Sequence, residues 1–408
     1  MSAGPQVSAG ARHACAVTRE GSVYCWGHGG SGELGVMPAA LGTCTTTSPF
    51  DNDGGTEVAA CSPTPRRIAG LPRIAKVAAA EDFTCALDYA GRIWCWGSNR
   101  AYQLGHGPGT EGDDPHCGVP ARPPTAYCNP TPHRVADFTF VDVFTGGGRS
   151  ACGLTRAGGF VCWGSASETV VPAAIFSVGV VNGASNGNAY CVIKSDGLTF
   201  CHNAFVAVRL AAPSDGGATM DAGVDAAPVL PPPFLDAVDV QRGNGACARR
   251  ADGTVWCWEN NYGGQLGNGT CDTVDHPGAA MVPGLVAEAI DFRGAVACAL
   301  HDGALDCWGL YGRGLLGDGT FGVGVPGAVD CPSGRAQPSP KRVILPAEVA
   351  SVSTSSDLMI ARLRDGRVMT WGSNRYGELG HAPFTAGDVE HDGAVNPTPG
   401  FVAGFVLP

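Results

Sequence analysis

The fold is decided by residues 371–380, which read WGSNRYGELG, because the start of this stretch recurs along the whole chain of 408 residues. Further copies stand at Trp26-Gly27, Trp96-Gly97, Trp163-Gly164 and Trp308-Gly309, with Trp258-Glu259 as a near match. A degenerate copy has Cys201-His202 at this position and no Trp. The chain therefore contains seven copies of one unit, which is the pattern of a repeat protein.

Each copy reads as a set of short strands. The unit runs Val-x-Ala-Gly, Cys-Ala-Leu, a Gly turn, apolar-x-Cys-Trp-Gly, x-Leu-Gly, a variable loop and a Pro-containing segment. Short runs of alternating apolar residues between Gly turns indicate antiparallel strands, about four for each copy. Such a unit is typical of a propeller blade, and seven blades close a ring without long free edges. A solenoid of sheets, the alternative, would show a shorter and more constant period.

We therefore predict an all-β protein, a seven-bladed β-propeller built from four-stranded antiparallel blades, with residues 1–408 as one domain. The predicted blades span residues 5–72, 73–139, 140–178, 179–235, 236–288, 289–346 and 347–408. The Leu-Gly element is missing from residues 165–235, and residues 213–233 read as a low-complexity insertion.

The unit resembles the repeat of the regulator of chromosome condensation family. The matching stretches are residues 7–13 (VSAGARH), 96–99 (WGSN) and 371–380. The resemblance covers nearly the whole chain. It implies a seven-bladed propeller, here a secreted, disulfide-rich member of the bacterial type.

Composition and charge narrow the class of partner. Charged residues make up 15% of the chain, whereas Gly (61) and Pro (30) are abundant, which favours short strands joined by turns. The net charge of −11, without a Lys/Arg-rich run, argues against nucleic-acid binding. No apolar stretch approaches the ~20 residues that cross a bilayer, so we expect no membrane insertion.

Six pairs of cysteines have nearly constant spacing. Five are ten positions apart and one is nine: Cys15 and Cys25, Cys85 and Cys95, Cys152 and Cys162, Cys191 and Cys201, Cys247 and Cys257, and Cys298 and Cys307. A three-residue turn such as residues 19–21 places Cys15 opposite Cys25. In the sixth copy the turn shrinks to Asp302-Gly303, a two-residue hairpin, and the second cysteine moves by one position. This covariation predicts a disulfide across each pair of neighbouring strands.

The other six cysteines lie in the long loops. We pair Cys44 with Cys61, Cys117 with Cys128 and Cys271 with Cys331. Zinc is the rival interpretation, but no close pair such as Cys-x-x-Cys occurs in the sequence, and we expect no metal site. Nine disulfides require an oxidising compartment, so we expect a secreted, periplasmic or cell-surface protein. The first five residues do not read as an export signal, which implies that a leader is absent from this chain.

The candidate binding residues lie on one face of the ring. In a four-stranded blade, the turn from the first to the second strand and the connection from the third to the fourth emerge on the same face, where repeat proteins commonly bind their partners. The long connections there are residues 36–64, 106–132, 268–282, 318–340 and 381–398. The turns contribute Arg12, His13, Glu81, Asp82, Arg149, Asn186, Asn188, Asn244, Arg293 and Asp357. The aromatic candidates on the same edge are Tyr102, Tyr262, Tyr311 and Tyr376.

Two interpretations of these residues stay open. The turn residues form either a polar ring that binds a partner or ordinary solvated turns. The tyrosines either anchor a protein partner, as Tyr often does at interfaces, or pack beneath the loops as part of the repeat.

Catalytic and cofactor motifs occur only out of context. Residues 183–187 match a nucleophile elbow, and residues 27–32 and 107–112 match a dinucleotide motif, but none of them opens a helix. Residues 51–54 (DNDG) are a faint match to a calcium loop that lacks its terminal Glu. We expect no cofactor and name no catalytic residue.

Three classes of function follow from these observations. The first is a monomeric, extracellular or periplasmic binding scaffold whose loop face engages a protein; some propellers of this family inhibit secreted hydrolases. The second is a protein that binds envelope glycans. The third is a hydrolase with a site at the channel mouth, built from His13, Glu81, Asp82 and Asp357, which a carboxylate of raised pKa would favour. The family's nuclear exchange activity conflicts with the disulfides.

Overall fold

A computed structural model describes residues 6–47, 56–117, 126–146, 148–164, 172–176, 178–187, 189–202, 236–391 and 393–407. These residues form thirty strands in seven antiparallel sheets, together with one short 3₁₀ turn at Pro38–Ala40. The insertion expected at residues 213–233 lies outside the described residues.

The sheets are named blades 1 to 7 in chain order. Blade 1 holds β1 (Gln6–Ala9), β2 (His13–Val17), β3 (Val23–His28), β4 (Gly42–Thr47) and β5 (Thr56–Arg67). Blade 2 holds β6 (Ile74–Ala79), β7 (Phe83–Asp88), β8 (Ile93–Ser98) and β9 (Cys128–Arg134). Blade 3 holds β10 (Phe140–Thr145), β11 (Ser150–Thr155), β12 (Phe160–Gly164) and β13 (Ala173–Phe176).

Blades 4 to 7 continue in chain order, and blade 4 has three strands among the described residues instead of the predicted four. Blade 4 holds β14 (Val180–Asn186), β15 (Ala189–Lys194) and β16 (Thr199–His202). Blade 5 holds β17 (Ala237–Arg242), β18 (Gly245–Arg250), β19 (Thr254–Glu259) and β20 (His276–Val286). Blade 6 holds β21 (Ala289–Arg293), β22 (Val296–His301), β23 (Ala304–Leu310), β24 (Val329–Cys331) and β25 (Gly334–Val343). Blade 7 holds β26 (Val349–Thr354), β27 (Leu358–Leu363), β28 (Arg367–Ser373), β29 (Val389–Glu390) and β30 (Ala394–Val406).

The seven sheets close into a ring through their first strands. Each first strand contacts the first strand of the next blade, from β1 and β6 round to β26 and back to β1. The prediction of a seven-bladed, all-β propeller is therefore confirmed. Blades 1, 6 and 7 have five strands rather than four, because the long connection folds back and adds β4, β24 or β29 to the outer strand.

The disulfide prediction is also confirmed, for all nine pairs. Six disulfides join the second and third strands of one blade: Cys15 with Cys25, Cys85 with Cys95, Cys152 with Cys162, Cys191 with Cys201, Cys247 with Cys257, and Cys298 with Cys307. The other three form in the long connections: Cys44 with Cys61, Cys117 with Cys128, and Cys271 with Cys331. The last of these links blade 5 to blade 6, as the sequence predicts.

The length of the hairpin turn sets the spacing of the cysteines. Cys15 lies directly opposite Cys25, with 4.1 Å between their Cα atoms. Cys298 likewise faces Cys307, although they are one position closer in sequence. The register is kept because Asp302 and Gly303 both adopt the positive φ of a two-residue hairpin turn.

The blades are joined by a repeated hydrogen bond from the Trp of the Trp-Gly pair. The indole N–H of Trp163 in blade 3 donates to the carbonyl of Gln103 in blade 2 at 3.0 Å, and both residues are buried. The acceptor is in each case the residue before Leu-Gly, or its equivalent, in the preceding blade. The other bonds run from Trp26 to Glu378, Trp96 to Glu33, Trp308 to Gln265 and Trp371 to Leu315, at 2.8–2.9 Å.

Trp163→Phe tests this seam between blades. It leaves the buried Gln103 carbonyl without its donor, which costs about 1–3 kcal/mol, and the smaller ring adds a void. We expect the free energy of urea unfolding, with disulfides intact, to fall by about 2–3 kcal/mol. Trp94→Phe is the matched control, because half-buried Trp94 bonds to Asp88 within its own blade; its loss should stay below about 1 kcal/mol. Equal losses would show that the inter-blade bond contributes little.

Candidate functional site

Turns from three blades converge on one basin. Its wall contains Arg12 from the β1–β2 turn, Glu81 and Asp82 from the β6–β7 turn and Arg149 from the β10–β11 turn. Strand β5 adds residues 57–60, and Arg100 comes from the connection that follows β8. The cavity measures 810 Å³. Four of the candidate residues therefore share one concave surface, on the face expected for the loops.

The basin holds both signs of charge in different environments. Asp82 is buried, and burial raises the pKa of its carboxyl although Arg100, with Nη2 2.9 Å from Oδ2, acts against the rise. Its other oxygen, Oδ1, has no hydrogen-bond partner among the described residues. Arg12 and Arg149 are exposed. Within the part of the chain that the structure describes, neither guanidinium makes an ion pair, so both are available to an incoming anionic group.

The wall beneath Arg12 contains a buried pair that the sequence did not reveal. His28 Nδ1 contacts Glu33 Oε1, and Glu33 also accepts a hydrogen bond from the amide of Ser31 at 2.7 Å. Burial acts to raise the pKa of Glu33, but the charge and hydrogen bond of His28 hold it below its usual value. Blade 7 repeats the contact with Ser373 and Glu378, at 2.7 Å. The pair therefore belongs to the repeat and stiffens the wall.

A second cavity of 320 Å³ adjoins the basin, and Arg12 and Glu57 line both. In it Asp357 is paired with Arg313, with 2.7 Å between Oδ1 and Nε. Tyr376 is buried and donates from Oη to Glu57 Oε2 at 3.0 Å. Burial is the main cause that raises the pKa of Tyr376 to about 12. Tyr376 therefore supports the cavity from below rather than presenting its ring to solvent.

The remaining turn residues surround the mouth of the axial channel. Asn186, Asn244 and Arg293 line a cavity of 120 Å³ to which all seven blades contribute. Arg293 reaches across the axis and donates to the carbonyl of Thr145 in blade 3. Burial lowers the pKa of Arg293. Asn186 donates to the carbonyl of Gly243 at 2.8 Å, whereas Asn244 is exposed. Asn188 lies outside the described residues.

Two candidates lie in the core instead of on the face. His13 begins β2 and is fully buried, with Nε2 2.8 Å from Thr84 Oγ1 in blade 2. Tyr311 is also buried and donates to Asp318 at 3.0 Å. His13 differs from the expectation of a turn residue at the surface, because it fills the seam between blades 1 and 2. Tyr311 agrees with the second interpretation of the tyrosines, which is packing beneath the loops. Tyr102 is half-buried and Tyr262 is exposed, so the four tyrosines do not form one surface.

Sequence reasoning also missed a polar lining inside the channel. Lys76 Nζ lies 2.5 Å from Asp142 Oδ1, and Asp239 and Asp291 line the same cavity of 310 Å³. Burial raises the pKa of Asp239 to about 6. These residues sit on first strands from four blades, so no local motif brings them together.

No metal or membrane signature was found in the ranges given above. They hold no group of three or more His, Cys, Asp or Glu side chains arranged to bind a metal ion. The described elements likewise include no helix long and apolar enough to span a membrane. The faint calcium motif at residues 51–54 lies outside the described residues.

Comparison with known proteins places the repeat in a family. Models of the regulator of chromosome condensation (RCC1) repeat match residues 6–33, 74–103 and 349–378, and a second form of the model matches residues 20–87 and 90–152. The E3 ubiquitin-protein ligase HERC2 of Homo sapiens is 28% identical over 341 residues, which cover 77% of this chain and 6% of that protein. The chain spans a fifth or less of the length of the curated relatives that it matches.

Two solved structures share the fold. Human WBSCR16 matches with a TM-score of 0.64 at 18% identity, covering 94% of both chains. Prp20p from Saccharomyces cerevisiae matches with a TM-score of 0.50 at 17% identity, covering 98% of this chain and 76% of that one. Fold and repeats together define a seven-bladed β-propeller. RCC1 repeats are found at residues 6–152 and 349–378, so the chain is a disulfide-rich propeller that contains RCC1 repeats.

The buried His13 predicts a specific dependence of stability on pH. Burial lowers the pKa of His13 from 6.5 to about 4, so the folded protein keeps it neutral. The unfolded chain binds this proton at higher pH, so the stabilisation is fully present above pH 6.5 and is lost as the pH falls towards 4. We expect a loss of about 3 kcal/mol from this residue. His13→Gln should remove this part of the decrease in the free energy of urea unfolding between pH 6.5 and pH 4. If the decrease is unchanged in the variant, it arises from the carboxylates instead.

Proposed function

We propose that this propeller is a binding scaffold of an oxidising compartment outside the cytosol, and that it engages a protein partner through the basin on its loop face. The observation that carries the proposal is the convergence of Arg12, Glu81, Asp82 and Arg149, from three blades, on one concave surface. A cavity of 810 Å³ with exposed guanidinium groups at its rim suits a protruding loop with an acidic side chain.

Three further observations support it. Propellers with this fold include Prp20p, whose binding to Gsp1p and to histones has been described. Nine disulfides persist only where the surroundings are oxidising. The net charge of −11 disfavours a nucleic-acid partner.

A secreted hydrolase is the partner class that we propose in particular, with the propeller as its inhibitor. A rigid concave surface is pre-organised, which reduces the entropy lost on binding. The disulfides and the wall contacts of Glu33 and Tyr376 supply that rigidity. An envelope glycan is the alternative occupant of the same basin.

Affinity capture from the native secretome and envelope tests the proposal. The bait is the oxidised protein, and the basin variant is Arg12→Ala/Arg149→Ala. Arg19→Ala/Arg156→Ala is the matched control, because it removes the same charge from the β2–β3 and β11–β12 turns of the same two blades. We expect the control to recover the partner like the wild type and the basin variant to recover at least tenfold less. Equal recovery by both variants would overturn the site, and recovery of glycan alone would favour the second occupant.

A hydrolytic site in the basin is the second candidate function. It is favoured by Asp82, whose pKa is raised by burial and whose Oδ1 has no partner among the described residues. A carboxyl whose pKa is raised by burial is a candidate general acid. Of the other residues proposed for such a site, Glu81 lines the basin, Asp357 lines the adjoining cavity and His13 lies in the core.

Asp82→Asn separates the two functions. If the basin is hydrolytic, wild-type protein should cleave chromogenic glycosides or esters, and the variant should lose at least a hundredfold of kcat/KM. Asp252→Asn, in the exposed β18–β19 turn, is the control and should keep full activity. No cleavage by the wild type would leave the binding function as the role of this basin.

A further inference from the structure

The outermost strand of blade 1 has an open edge. The order of the sheet is β1-β2-β3-β5-β4, so β4 pairs on one side with β5 and, among the described residues, has no strand on the other. Gly42, Thr43 and Thr45 are exposed. Within the described ranges, no backbone group of residues 42–46 bonds to anything beyond β5. An open row of amide and carbonyl groups is a template for another strand.

Other outer strands of this chain are protected against such pairing. Proline, which cannot donate to a ladder, occurs at Pro130 and Pro132 in β9 and at Pro277 and Pro283 in β20. The outer strands β24 and β29 have three and two residues and carry acidic side chains. The outer strands β13 and β16 have four residues each. β4, with six residues that read GTCTTT, has neither proline nor charge.

The edge is held in a fixed position. Cys44 and Cys61 form a disulfide that packs on Tyr376 of blade 7. Glu57, on the paired strand β5, accepts the hydrogen bond of Tyr376. Cys44 and Thr46 are buried on one face of β4, whereas Thr43 and Thr45 are exposed on the other. Such a strand loses little entropy when it pairs with a partner.

We infer that an extended segment of the protein partner pairs with the outer edge of β4, along residues 42–46, and adds a sixth strand to blade 1. This inference rests on the proposed function. The strand contact at β4 would lie beside the contact in the basin, because β5 also lines the basin through residues 57–60. Backbone hydrogen bonds supply the affinity of such an added strand. A second copy of the chain is the less suitable occupant, since two copies that each carry a net charge of −11 repel each other.

The first measurement is amide hydrogen exchange by NMR in the intact, oxidised protein. In a free edge strand, alternate amides of residues 42–46 point to solvent and exchange fast, while the others are held in the β5 ladder. The probe is the blocked peptide Lys-Val-Thr-Val-Thr-Val-Lys at millimolar concentration. We expect the peptide to slow the exchange of the fast, open-edge amides at least threefold and to leave the exchange of the slow, ladder-bonded amides unchanged. The same peptide N-methylated at its central amides should have no effect, because it cannot donate.

Two proline variants make the test independent of folding. The Ala60 carbonyl accepts from the Gly29 amide on the far side of β5, so the alternate residues of β5 face β4 and bond to Cys44 and Thr46. Thr45→Pro, the open-edge variant, therefore removes an amide of the open edge, and Thr46→Pro removes an amide of the β5 ladder. The open-edge variant should keep the melting temperature of the wild type and abolish the protection by the peptide. Arg12→Ala/Arg149→Ala should keep that protection in full, which distinguishes failure of the strand contact from failure of the basin.

Three outcomes would overturn the inference. They are slow exchange of all five amides in the free protein, equal protection by the N-methylated peptide, and no protection by either peptide. A dimer in light scattering that the open-edge proline variant abolishes would assign the edge to a second copy of the chain instead.

Discussion

The propeller depends on one interaction more than on any other, the hydrogen bond from a buried indole N–H to a backbone carbonyl of the preceding blade. A buried carbonyl without a donor costs about 1–3 kcal/mol, so each of these bonds fixes the rotation of one blade against the next. Five such bonds are present among the described residues, and the one from Trp26 to Glu378 joins the last blade to the first. The Trp-Gly and Leu-Gly elements recur together because they are the two halves of this seam.

Close contact at the seam explains the glycine that accompanies it. Gly377 has a φ of +79°, and an added Cβ would lie 2.5 Å from the Cβ of Pro63 in blade 1. A side chain there would separate the blades and lengthen the Trp bond. Blade 4 lacks the Trp, and the preceding blade lacks the Leu-Gly element, so both halves of one seam are absent from the sequence together. Within each blade, by contrast, a disulfide joins the second and third strands wherever the cysteines occur.

Because the seams and disulfides stabilise the ring from within, the loops are free to differ. The β1–β2, β6–β7 and β10–β11 turns occupy equivalent places, yet they present Arg12, Glu81 with Asp82, and Arg149 to a common basin. The same freedom allows a loop of blade 1 to fold back as β4 and present its backbone instead of its side chains. The proposed side-chain recognition in the basin and the proposed main-chain recognition at the β4 edge would both use these variable loops.

The sequence by itself determined the number of blades, the all-β class, the nine disulfides and the face on which the turns lie. These features follow from local periodicity and from spacings that repeat. Cys298 and Cys307 are nine positions apart instead of ten, because the turn between their strands has two residues and the register adjusts to it. Only the tertiary structure decided which turn residues meet. It placed Arg12 and Arg149 around one basin, buried His13 and Tyr311, and grouped Lys76 with Asp142 on the axis. The physical reason is that burial and proximity depend on how blades distant in sequence rotate against one another, which no single repeat encodes.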